Sequence, residues 1–157
     1  MADQTLAVVV EIDALRTSID GWQDDDSTKL EARRLALDVA DPHLRGGYDV
    51  LVPQYLGRTE FIEELARTAR GADAAFIEIL LQATEDEVVA RFEARRGELG
   101  GADHPEHEVD DIRAAVANAI GRLADVARAR PNAVTLTAHD DVDTTLAALV
   151  AILEGWP

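Results

Sequence analysis

A chain of 157 residues, 47% of them hydrophobic, can bury the core of one domain, and it has no run of about 18 apolar residues to span a membrane. Its 31 acidic and 15 basic residues leave a formal net charge of −16, a field that repels polyanions and argues against general nucleic-acid binding. The absence of cysteine rules out disulfides and thiolate metal sites, and the opening MADQTLAVVVEID has no basic leader to make it a signal peptide, so a cytoplasmic protein is expected.

Residues 6–12, LAVVVEI, form a short β-branched run that predicts a strand. After Asp13, ALRTSIDGW predicts a short helix closed near Gly21. DDDST then opens a long helical pattern, with Thr28 and Glu31 spaced as a capping box and Leu30, Leu35, Leu37, Val39 and Leu44 as its apolar positions. Gly46 and Gly47 close it, and Pro42 inside it is expected to kink or interrupt it. Residues 50–53 give a second strand, leading into the polar loop QYLGR. Thr59 begins a helix with Phe61, Ile62 and Leu65 on one face.

AAFIEILL, residues 74–81, is apolar enough for a central strand. A second capping box, Thr84 with Glu87, starts the next helix. Residues 97–108 make a Gly-, His- and acid-rich loop, and residues 110–130 an amphipathic helix stopped by Pro131. NAVTLTA is a fourth strand, and residues 142–153 a last helix. Strand followed by helix, repeated along residues 1–157 as one domain, predicts an α/β fold: a three-layer parallel sheet of about four strands covered on both faces.

Ligands of such sheets sit at the carboxyl ends of the strands. That rule selects Asp13 and Arg16 after the first strand, Gln54, Tyr55 and Arg58 after the second, and the segment following Ala138 after the fourth. An amide, a phenol and a guanidinium at one strand end are suited to a polar ligand; the plainer alternative is a turn in which Tyr55 packs down and Arg58 meets a surface acid. Asp13 equally suits a helix cap with Arg16 exposed beside it. Fourteen of the fifteen basic residues are arginines, Lys29 being the exception, and arginine favours bidentate phosphate or carboxylate contacts. Arg91 and Arg95 share a helix face, with Arg96 next to them, and Glu87 and Glu93 are near enough for ordinary intrahelical pairs. In HPEHE, Pro105 and the preceding glycines favour a loop tip over a metal site at His104 and His107. Asp143 and Thr144, after His139 and Asp140, read as a helix N-terminus.

The succession EIDALR, DVLVPQYLGR, FIEILL, VVARFEARR and VTLTA…DVDTTLAALV resembles the small P-loop NTPases and kinases: single-domain ATPases of AAA type and proteins like the gluconate, shikimate and chloramphenicol phosphotransferases. The likeness runs over nearly the whole chain, and it lies in the order of soft motifs. It implies a P-loop kinase sheet, with residues 84–130 as lid and lid-flanking helices. It also implies phosphoryl transfer from ATP, with Mg2+, to a small polar metabolite. In those terms Asp13 is the general base or substrate anchor, Arg16 holds an anionic group, and Gln54, Tyr55 and Arg58 face the substrate. Arg91 and Arg95 clamp the transferring phosphate, and Arg91, Asp143 and Thr144 lie towards the nucleotide.

The family's phosphate loop, G-x-x-x-x-G-K-[ST], occurs nowhere in the 157 residues. By the resemblance, the chain starts after the family's first strand, which is central and buried on both faces. Losing four or five core side chains at about 1.5–3 kcal/mol each would forfeit roughly 10 kcal/mol, comparable with the whole stability of a domain at about 5–15 kcal/mol. A truncated form of a longer protein, a relative that lost the loop, and a second chain filling the gap are the alternatives. Without the loop, little phosphoryl transfer is expected. The competing expectation is a non-catalytic domain that binds a small ligand, or that dimerises through the exposed sheet.

Overall fold

The computed structural model describes residues 6–23, 25, 27–98, 110–138 and 141–156. Among these are six helices and four short strands, a mixed α/β chain as expected. The chain divides into two compact units, Met1–Phe76 and Ile77–Pro157.

The first unit runs β1 (Ala7–Val9), α1 (Ile12–Thr17), α2 (Thr28–Arg45), β2 (Asp49–Leu51) and α3 (Thr59–Gly71). β1 and β2 are parallel, in register Ala7 to Asp49, Val8 to Val50 and Val9 to Leu51. The Val10 N–H donates to the Leu51 carbonyl at 2.8 Å, carrying the pairing one step past β1. The chain turns from α1 to α2 through Gly21, whose φ of +71° is a left-handed conformation that a glycine adopts without penalty.

Packing in this unit centres on α2, which lies against α1, α3 and β2. Its buried face is made of alanines, Ala32, Ala36 and Ala40, spaced i, i+4, i+8. The leucine-based face expected from the sequence is partly wrong: Leu30 is 67% exposed and Val39 is also exposed, while Leu37 packs against the core. Alanines let the neighbouring elements approach α2 closely, and Val10, Ile12 and Phe61 fill the space between them. Burying each of those three contributes about 1.5–3 kcal/mol. Pro42 sits in the last turn of α2, and the helix continues through it to Arg45, so the expected interruption does not occur.

The second unit repeats the same order: β3 (Ile79–Gln82), α4 (Glu85–Glu98), α5 (Ile112–Ala129), β4 (Val134–Thr137) and α6 (Val142–Glu154). β3 and β4 are also parallel, Ile79 lying opposite Val134 and Gln82 opposite Thr137. α4 packs on α5, and α6 on β4. Glu78 and Arg130, both 17% exposed, form an ion pair that joins the approach to β3 to the end of α5. The α6 sequence is apolar nearly all round, yet none of its residues is buried, Val142 being 74% exposed. Among the described residues the four strands form these two two-stranded ladders, not the single sheet of about four strands expected from the sequence. No helix among them is long and apolar enough to cross a membrane.

Candidate functional site

The segment after β2 is built on alternation. Leu56 packs against the apolar core, which fixes the loop, while Tyr55 and Arg58 on either side are exposed and Gln54 is half-buried. Tyr55 folds back over Gly57: a Cβ placed there would lie 2.4 Å from the Tyr55 hydroxyl, so a larger residue would push the exposed phenol aside. Arg58 is the residue before the first turn of α3, in extended conformation, and its side chain does not cap the helix.

Across from this loop, Asp13 lies in the first turn of α1. The Gln54 side-chain amide donates to Asp13 Oδ2 at 3.2 Å, a contact between residues 41 apart in sequence. Both follow the carboxyl ends of paired strands, β1 and β2. Asp13 does not cap α1; Glu11 occupies the cap position and makes no side-chain cap bond.

Arg16 points elsewhere. It is 6% exposed, its Nη2 donates to the Trp22 carbonyl at 3.3 Å, and its guanidinium lies 4.9 Å from the Trp22 ring centre. Its Nε donates to the Thr28 hydroxyl at 3.4 Å, and that hydroxyl in turn donates to the Asp25 carbonyl at 2.6 Å. This cluster seals the turn between α1 and α2. The sequence held its signal, a tryptophan just after Gly21, but reading it needed the tertiary packing of Thr28 onto Trp22.

Thr28 is therefore the first helical residue of α2 and not its cap, and the expected capping box with Glu31 does not form. Glu31 pairs with Arg34 at 2.6 Å. That hydrogen bond holds the Glu31 carboxyl below its ordinary range, and Arg34, also bound to Asp38, is raised. Beside the α2 N-terminus lies an open groove of about 510 Å³, lined by acids such as Asp20, Asp25 and Glu31 with Arg34 facing them. None of the candidate loop residues lines it.

In the second unit, Arg91 and Arg95 are exposed on α4, each already engaged with other groups. The Thr84 and Glu87 box forms as expected: the Glu87 carboxylate accepts from the Thr84 N–H at 2.7 Å, and the Glu87 N–H reaches the Thr84 hydroxyl at 3.3 Å. Arg113 binds Asp86 at 2.9 Å and Glu85 at 3.2 Å, joining the starts of α5 and α4; the Asp86 hydrogen bond, ahead of Glu85, raises its pKa. Asp143 and Thr144 begin α6, where Asp141 accepts from both backbone N–H groups at 3.2 Å. His104, His107, His139 and Asp140 lie outside the described residues, as does the side chain of Arg96.

The structure thus brings Asp13 and Gln54 together, with Tyr55 and Arg58 on the same loop as Gln54. Arg16 is committed to Trp22 and Thr28, and Arg91, Arg95, Asp143 and Thr144 belong to the other unit. The Glu78–Arg130 pair was missed, although an acid inside the apolar run AAFIEILL was its signal. Compared with protein-family models, curated proteins and solved structures, the chain matches none.

Proposed function

We propose that this chain is a small-ligand-binding domain on the plan of the small P-loop kinases, holding a polar metabolite at the carboxyl ends of β1 and β2. One observation carries the reading: the Gln54–Asp13 hydrogen bond joins side chains from the ends of two paired parallel strands, the position where α/β sheets hold ligands. Tyr55 and Arg58 extend the same wall with a phenol and a guanidinium.

Phosphoryl transfer from ATP with Mg2+ is the second reading, and the strand pairing agrees with the sheet plan it presupposes. A P-loop kinase sheet deprived of its central strand would leave two parallel pairs, and two parallel pairs are what the four strands form. The described residues, however, do not fit the nucleotide. The N–H groups of Asp143 and Thr144 already serve the Asp141 carboxylate, whose negative charge opposes a phosphate there. The 157 residues also contain no phosphate loop.

Two titrations of the full chain separate the readings. In two-dimensional amide NMR against a panel of polar metabolites, a ligand of this site shifts residues 12–16 and 52–58. A panel in which every shift lies elsewhere, or none occurs, sinks the binding reading. In calorimetry with Mg·ATP no saturable heat is expected, and saturable binding would move the assignment to the second reading.

A further inference from the structure

The orientation of Gln54 has a chemical consequence for what the site accepts. A carboxylate has no proton to give, so the group that Gln54 turns to Asp13 must be its NH2, and the amide carbonyl is left on the other side. Asp13 uses Oδ2 for this bond, and Oδ1 makes no other hydrogen bond among the described residues. Two acceptor oxygens, one of them carrying charge, therefore stand at the strand ends. Arg16, the guanidinium nearest to Asp13 in sequence, is buried against Trp22 and Thr28 and offers no donor to a ligand; Arg58 is exposed further along the loop and forms no hydrogen bond or ion pair with Asp13 or Gln54.

We propose that Gln54, oriented by Asp13, is a specificity-determining residue that selects a hydrogen-bond donor with no negative charge: a hydroxyl-rich neutral molecule or an amine. This rests on the binding reading above. A carboxylate-bearing ligand meets acceptor against acceptor at Gln54 and like charge at Asp13, whereas a polyol gives a proton to each. The discrimination amounts to about one hydrogen bond, because Asp13 is exposed and water serves whichever acceptor a ligand leaves. Asp13→Asn removes the constraint, since an asparagine also donates and the Gln54 amide is then free to turn over.

The test is an amide NMR titration of the full chain with three probes of similar size: glucitol, gluconate and glucosamine. Glucitol or glucosamine is expected to shift residues 12–16 and 52–58 with an affinity at least about tenfold above that of gluconate, roughly one lost hydrogen bond. Gln54→Leu should lower the favoured probe's affinity by about tenfold while leaving the amide spectrum of α2 and α3 in place. Asp13→Asn should bring gluconate to within about threefold of glucitol. Glucosamine binding alone assigns an amine, and glucitol binding assigns a polyol. Gluconate binding equally well at these residues overturns the selectivity and leaves the binding reading intact. Failure of all three probes to shift these residues overturns the selectivity as well; the wider metabolite panel then decides whether the binding reading falls with it.

Discussion

Burying a guanidinium costs several kcal/mol unless hydrogen bonds and packing replace its water. Arg16 has no carboxylate partner among the described residues; it has two acceptors and the face of Trp22. Only a planar, delocalised cation suits that arrangement, because it stacks on the ring while its edge N–H groups reach oxygen. Arg16→Lys is therefore expected to destabilise the first unit by about 1–3 kcal/mol, more than Arg16→Met does, because the ammonium keeps the desolvation penalty and loses the stack. Urea unfolding followed by Trp22 fluorescence measures both. If lysine is tolerated like arginine, the stacking and edge contacts of the guanidinium contribute nothing to stability. The strand-end rule selected Arg16 together with Asp13 because both follow the first strand. Which way each side chain turned depended on Trp22 and Thr28, and no local pattern encodes that.

Among the elements, helix existence was legible almost throughout, because capping residues, glycines and periodic apolar positions are local signals. The core face of α2 was less so. Leucine spacing drew attention, whereas the tight approach selected Ala32, Ala36 and Ala40, whose small size is informative only once a neighbour is known. The strands were read too long for a related reason: an apolar run such as AAFIEILL marks extended chain, while a strand also needs a partner to bond, and β3 has one only at Ile79–Gln82. The two capping boxes make the same contrast. Thr84 and Glu87 close on each other, but Thr28 is drawn into the turn below it. Thr84→Ala should thus cost about 1 kcal/mol and speed hydrogen exchange in the first turn of α4. Unchanged exchange of residues 85–88 would mean that Arg113, bound to Glu85 and Asp86, holds that turn instead.

The two units share one order of elements but not one quality of core. Among the described residues, most of the buried apolar side chains lie in the first, including the large Val10, Ile12, Trp22, Phe61 and Ile62, while the second buries Val89, Val116 and Val126. At about 1.5–3 kcal/mol for each large side chain, the difference of two such side chains is about 3–6 kcal/mol, a sizeable part of a domain's stability of about 5–15 kcal/mol. The exposed Arg113 pairs contribute at most about 1 kcal/mol, and the attraction in the largely buried Glu78–Arg130 pair is spent against the desolvation of its two charges. Structure with few buried contacts opens at lower free energy than structure with many. In native-state hydrogen exchange, the amides of β3, β4 and α4 to α6 are therefore expected to exchange through openings several kcal/mol below those of α2, α3 and the β1–β2 ladder. Urea unfolding should correspondingly show two transitions, the earlier one without a change at Trp22. A single transition with uniform protection would mean that the units unfold as one cooperative body, and that the second unit draws its stability from contacts other than its own core. The candidate site would be unaffected by the first of these outcomes, since Asp13 and Gln54 stand in the unit that stays folded longer.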